Sequence, residues 1–199
     1  MNTSTTDNTG AAQPTDEQLI KQFQDGDLYA FEMIVHRYKN QLVNFVYNFL
    51  GNRIDSEDVV QETFLRVYKN KHRYKQIAKF STWIYTIASN LAKTELRRRK
   101  RRRFFSISQL GFEEKDYDIP DSAFSPDKVI EEDLKGKEIR EEINKLPEKF
   151  REVVVLRDIQ EFSYEEISRI LHIPIGTVKS RANRGRLRLQ KQLAHLRDK

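Results

Sequence analysis

"YEEISRILHIPIGTVKSRANRGRLRLQKQL", Tyr164 to Leu193, decides the fold of the C-terminal part of the chain. Tyr164, Ile167 and Leu171 recur at helical spacing and line one side of a short helix. His172-Ile173-Pro174 ends it, because the proline ring pushes the preceding residue out of helical space. Ile175, Val178, Ala182, Gly185 and Leu189 then mark the inner face of a second helix. Two short amphipathic helices around a tight turn make a helix-turn-helix. The other side of the second helix offers Thr177, Lys179, Ser180, Arg181, Asn183 and Arg184, donors suited to base edges and phosphates in a major groove. A surface helix that is merely basic would not need the small Ala182 and Gly185 on its inner face beside a turn, so DNA binding is the expectation.

Composition agrees. The chain has 199 residues, enough for one ordinary domain or two small ones. Its net charge of +6 favours a polyanionic partner. With no cysteine there is no disulfide framework, thiolate metal site or cysteine nucleophile. The opening "MNTSTTDNTGAAQP" lacks a basic segment followed by an apolar run, so no signal peptide is expected. No apolar run approaches the roughly 20 residues of a membrane span. The expectation is a soluble, cytoplasmic protein with no membrane insertion.

Upstream of that motif the pattern is helical throughout. Residues 1–14 have no periodicity and are expected to be a disordered tail. Thr15 and Gln18 form a capping-box pair for a first helix, and Asp27 caps a second. The second carries Phe31, Ile34, Val35, Tyr38, Leu42, Phe45, Val46 and Phe49 at a period of 3.6 and stops at Gly51. Asp55 is expected to cap a third helix, with Val60, Phe64 and Val67 inward and Asp58, Gln61, Glu62 and Leu65 on another face. A fourth helix, capped by Ser81 or Thr82, buries Ile84, Ile87, Ala88 and Leu91. Its polar stripe is Thr82, Thr86, Ser89, Asn90, Lys93 and Arg97, and it ends in seven consecutive basic residues, Arg97 to Arg103. Between Glu113 and Asp133 nine acids stand against two lysines, with two prolines, which reads as a linker. Pro147 suits a helix start, and Val153 to Leu156 read as core. The fold class is all-α: two small helical domains joined by an extended acidic linker, with the boundaries 1–14 tail, 15–103 first domain, 104–135 linker and 136–199 second domain.

Four stretches in this order, "DSEDVVQETFLRVY", "FSTWIYTIASNLAKTELRRRKRR", "LPEKFREVVVLRD" and "SYEEISRILHIPIGTVKSRANRGR", resemble the extracytoplasmic-function (ECF, group IV) sigma factors of bacterial RNA polymerase, in the sigma-70 family. The resemblance spans roughly residues 16–103 and 136–195. It implies a region 2 bundle that binds core polymerase and the minus-ten promoter element, and a region 4 helix-turn-helix that binds the minus-thirty-five element. It makes Asp58, Gln61 and Glu62 candidates for docking on the clamp coiled coil of the polymerase, with the flap as a further contact.

It also implies that the loop before the fourth helix, and the helix itself, hold melted minus-ten DNA. Unstacking a base costs a few kcal/mol, and stacking on an aromatic side chain returns about 1–3 kcal/mol per base. The candidates are Tyr74, Lys75, Gln76, Lys79, Phe80, Ser81, Trp83, Asn90, Lys93, Arg97 and Arg98, with the basic run on duplex phosphates upstream. Ordinary core packing is the competing reading for Phe80 and Trp83. By the same carry-over Lys179, Ser180, Asn183 and Arg184 read the minus-thirty-five element, with Thr177 and Arg181 on phosphate. The acidic linker is expected to thread the RNA exit path. Its 32 residues, Phe104 to Lys135, span up to about 100 Å at 3.3 Å each, against about 70 Å for two DNA turns. An inhibitory anti-sigma partner is usual in the family. Thr94 stands where members often have aspartate, Asn183 replaces a frequent aromatic, and the loop before Phe80 lacks a frequent glycine.

No catalytic site is expected, and no cofactor or metal. The four histidines are scattered without ligand spacing. A stand-alone helix-turn-helix regulator is the alternative function; it leaves the face carrying Asp58, Gln61 and Glu62 without a purpose. A nuclease would need carboxylates placed for a metal, and those of "DSED" sit at a helix start where the dipole favours them anyway. A membrane-surface binder would need a basic face beside large exposed hydrophobes, which no helix combines.

Overall fold

A computed structural model describes residues 13–109 and 133–196. The expected tail, except Gln13 and Pro14, and the body of the expected linker, 110–132, lie outside these residues. Everything described is helix or connection. In chain order the helices are α1 (Asp16–Gln24), α2 (Leu28–Leu50), α3 (Arg53–Lys69), α4 (Phe80–Gln109), α5 (Asp133–Lys145), α6 (Glu148–Val154), α7 (Tyr164–Leu171) and α8 (Ile175–Gln192). Both ends of the expected linker are therefore helical, since α4 runs six residues past Arg103 and α5 begins at Asp133.

The helices start and stop for local reasons, most of them visible beforehand. The Thr15–Gln18 capping box closes α1, Asp27 accepts from the Tyr29 and Ala30 amides at the head of α2, and Gly51 ends α2 at φ 69°. That left-handed conformation costs a glycine almost nothing. Two expected caps are corrected. α3 is capped by Asn52, whose side chain accepts from the Asp55 amide (3.1 Å), which leaves Asp55 free to pair with Arg99 of α4. α4 begins at Phe80, one residue before the expected caps, and Glu17 of α1 accepts the Phe80 N–H (3.2 Å). Thr82 is buried instead.

α2 is the axis of the first group, with α1, α3 and α4 packed around it. Ile34, Leu42, Phe45, Val46 and Phe49 are fully buried, as the 3.6 period requires. Phe80, also fully buried, packs edge-on against Tyr38 and Tyr74 with ring centroids 5.6 Å from each. Burying such a ring contributes about 1.5–3 kcal/mol, against about 0–1 for an exposed ion pair, so aromatic packing rather than charge pins the head of α4.

In the second group α6 and α7 pack on α8. Val153 to Leu156 are core, as expected. Gly185 lets the helices approach: a Cβ there would sit 2.6 Å from Val154 Cγ2. After α6 the backbone widens into a π-turn, Val155–Ile159, then Glu161 takes φ 60°. The buried apolar cluster continues from one group into the other. The two meet where α7 lies on α4 and where α5 and the π-turn touch α2.

Candidate nucleic-acid and polymerase interface

On α3 the inward residues Val59, Val60, Phe64 and Val67 leave Asp58 and Gln61 exposed on the opposite side. Glu62 is half-buried and pairs with Arg66 (2.9 Å). Leu65 and Tyr68, about half exposed, give this polar face an apolar edge. Sequence reasoning left out Tyr68, whose ring stands on Phe23 and Phe31 from α1 and α2. Its position at i+7 from Gln61 was the available signal.

The loop between α3 and α4 is held from below. Gln24 donates to the Lys71 and Tyr74 carbonyls (2.7 and 3.1 Å), and the Lys71 ammonium donates to the Phe23 carbonyl (2.7 Å). Tyr74 is buried, donates its hydroxyl to the Ala78 carbonyl (2.9 Å), and lies 5.5 Å from the half-buried Trp83. Burial, with the carboxylates of Glu17 and Asp16 nearby, raises the Tyr74 pKa, so the phenol stays protonated and keeps donating. Tyr74 and Phe80 are thus the floor of the loop: for Phe80 this is the core packing that competed with a DNA contact, and for Tyr74 it corrects an expected place on the loop surface, because both rings find aromatic partners in the core. Lys75, Gln76 and Lys79 are exposed and Ser81 is half-buried. Ile77, 85% exposed at the tip, was missed because an isolated apolar residue in a loop carries no periodicity.

Along α4 the expected polar stripe divides. Asn90 and Arg97 are exposed. Thr82 and Ser89 are buried, and Lys93 is half-buried. The basic run divides too. Arg98 pairs with Glu95 (2.7 Å), Arg99 turns inward to Asp55 and the Leu50 carbonyl, and Arg101 and Arg102 are exposed.

On α8, Lys179, Ser180, Asn183 and Arg184 are exposed together and Thr177 is half-buried. The Ser163–Glu166 capping box fixes the start of α7, and His172 at φ 54° opens the turn from α7 into α8. Arg181 departs from its neighbours, reaching inward to Glu152 (3.2 Å). Glu152 is nearly fully buried and also receives Lys93 (2.9 Å). Burial raises its carboxyl above the ordinary range, although the Lys93 and Arg181 charges pull it down.

Known proteins now decide what carries these faces. The family models Sigma-70 region 2 and Sigma-70, region 4 match residues 34–102 and 136–189. The ECF RNA polymerase sigma factor SigW of Bacillus subtilis is 41% identical over 180 residues, 89% of this chain and 96% of its own length. The chain belongs to the ECF branch of the sigma-70 family.

The RNA polymerase sigma-H factor of Pseudomonas aeruginosa is 32% identical to this sigma factor over 92% of the chain and 96% of its own length. The fold repeats in the sigma factor RpoE, solved with the anti-sigma factor NepR from Bartonella quintana. It is 27% identical, with a TM-score of 0.62, and the match covers 82% of this chain and 96% of RpoE. As a member of this family the protein is a transcription initiation factor that directs core RNA polymerase to promoters, and a regulator acting through its helix-turn-helix alone is not favoured. The region 2 match contains the α3 face and the α4 loop; the region 4 match contains the α8 donors. Among the described residues no helix is long and apolar enough to cross a membrane, and no group of three or more His, Cys, Asp or Glu is placed to hold a metal ion.

Proposed function

We propose that this sigma factor divides its work between residues 15–103, which dock on core polymerase and hold the opened minus-ten element, and 136–199, which read the minus-thirty-five element, with 104–135 as the tether. Asp58, Gln61 and Glu62 offer acceptors and donors to the clamp coiled coil, and Leu65 and Tyr68 add apolar area beside them. Lys75, Gln76, Lys79 and Ser81 surround a displaced base above the floor of Tyr74 and Phe80. Trp83, half-buried beside Tyr74, is the ring available for stacking. Asn90, Lys93, Arg97 and Arg98 follow the backbone. Lys179, Ser180, Asn183 and Arg184 enter the major groove, with Thr177 and Arg181 at phosphates. The protein works in the cytoplasm beside the polymerase, carries no catalysis of its own, and answers to an anti-sigma factor as the solved relative does.

The observation that carries this reading is a loop with exposed polar and cationic side chains on a rigid aromatic floor, joined to a helix that ends in cations. Such a surface suits a splayed single strand, in which both bases and backbone must be held. Run-off transcription with core polymerase and a genomic promoter library tests it. Defined start sites that depend on this protein are expected; no initiation from any template refutes it.

A further inference from the structure

The loop that leads into α4 hangs from α1, a helix that lies outside the region 2 match. Gln24, in the last turn of α1, donates its side-chain amide to the carbonyls of Lys71 and Tyr74 (2.7 and 3.1 Å). Lys71 answers by donating its ammonium to the Phe23 carbonyl (2.7 Å), with the charge 4.3 Å from the centre of the Phe23 ring. At the other end Glu17 accepts the Phe80 N–H (3.2 Å). Residues 71–80 are thus gripped at both ends by one short helix. Between the grips the chain closes on itself: the Ile77 N–H donates to the Lys75 carbonyl (2.7 Å), and the Tyr74 hydroxyl to the Ala78 carbonyl (2.9 Å).

The tip of the loop depends on these grips. Lys75, Gln76 and Ile77 are exposed, so packing does not fix where they point and the backbone beneath them does. A binding pocket discriminates only when its groups are held to within about 0.5 Å of the productive geometry. Gln24 holds the two carbonyls on either side of the turn that precedes Lys75. A side-chain amide is the right chemistry for this, since it brings two donors and no charge, whereas a carboxylate in its place would set acceptors against both carbonyls.

We propose that Gln24 is a positioning residue for base selection: it touches no DNA, and by fixing the carbonyls of Lys71 and Tyr74 it sets the register in which Lys75, Gln76 and Ile77 meet the displaced base. This rests on the reading of the loop as part of the strand-holding surface. Without the grip the loop drifts. The preferred base then loses affinity, while a wrong base, never well fitted, loses little.

The test uses holoenzyme assembled from core polymerase and the full chain, with a pool of single-stranded oligonucleotides of random sequence. Sequencing the bound fraction gives the base preference at each position. Gln24→Leu removes the donors, and Gln24→Glu keeps the shape but presents acceptors; either serves alone where the other does not fold. Both are expected to lower the preference at one position about tenfold, the loss expected of one or two hydrogen bonds. Preference at the other positions and affinity for core polymerase should not change. Trp83, the chain's single tryptophan, lies 5.5 Å from the Tyr74 ring and reports the drift in the free protein. Its emission should shift to the red in both variants with far-ultraviolet dichroism unaltered. Lys21→Ala, on the same helix in an exposed ion pair with Asp25, is expected to leave every preference as it was. A similar loss from Lys21→Ala, or equal weakening at all positions, overturns the proposal, because α1 then serves stability alone. Gln24 variants with the native preference at every position overturn it too, while that native preference leaves the strand-holding reading standing. A native holoenzyme with no preference among single strands removes that reading, and this inference with it.

Discussion

Gly185→Ala tests the packing that presents the α8 donors. In isolation the change should help, because alanine is preferred over glycine inside a helix by about 1 kcal/mol. The structure opposes this. The new Cβ would lie 2.6 Å from Val154 Cγ2, with the Phe150 Cβ and carbonyl at 3.5 and 3.6 Å. Comfortable carbon contacts begin near about 3.5 Å, so the overlap is close to 1 Å. Val154 is 2% exposed, and a β-branched side chain in a helix has essentially one rotamer. The methyl group has nowhere to turn, so α8 must move off α6. Overpacking of this kind costs about 1–3 kcal/mol, which leaves a net loss of about 1 kcal/mol after the propensity gain. For a unit of this size that is a fall in Tm of about 4–8 °C. Thermal unfolding followed by far-ultraviolet circular dichroism measures it. In a Val154→Ala background the clash is gone, and Gly185→Ala should become stabilising by about 1 kcal/mol. If Gly185→Ala stabilises the native chain, or the two changes add without coupling, the close approach of α6 and α8 is refuted.

Gln61→Ala with Glu62→Ala should weaken core-polymerase binding about tenfold or more, with unchanged dichroism; unaltered affinity in a titration against core enzyme removes the docking assignment. Arg184→Ala should cost about 1–3 kcal/mol on promoters carrying the upstream element and relax specificity at one position, whereas a uniform loss on all DNA would place it on phosphate. Glu166 supplies a pH dependence. Burial pushes its carboxyl up, but the Ser163 amide and hydroxyl and the Lys79 ammonium together hold it below the ordinary value. Its contribution is therefore complete above the ordinary carboxylate range and is lost as pH falls through the depressed value. The Tm gap between native protein and Glu166→Gln should shrink over that acidic window; a gap that widens there would contradict the pairing.

The helices were readable because each announces itself locally. α2 and α3 show their apolar faces at a period of 3.6, Thr15 and Asp27 are caps by chemistry, and Pro174 can only end α7. The Asp58/Gln61 face was readable because α3 needs only one side for its core. The heads of α3 and α4 were misread because the groups that settle them are not the obvious polar residues: Asn52 displaced Asp55 as cap, and Glu17 reaches Phe80 across 63 residues of chain. Phe80 and Trp83 were ambiguous for the same reason, since an aromatic residue at the head of a helix has the same local pattern whether it faces a ligand or the core.

From its sequence alone this protein had a settled element type, a helix-turn-helix and its cationic surfaces, all properties of residues within a few turns of one another. Periodicity states which face of a helix is polar; it does not state what covers that face. The covering of Thr82, Ser89 and Lys93, the retreat of Arg181 onto Glu152 and the Tyr85–Gln160 bond were decided by tertiary packing. Such contacts, the last spanning 75 residues, depend on which surfaces can be desolvated together, and a one-dimensional pattern does not record that.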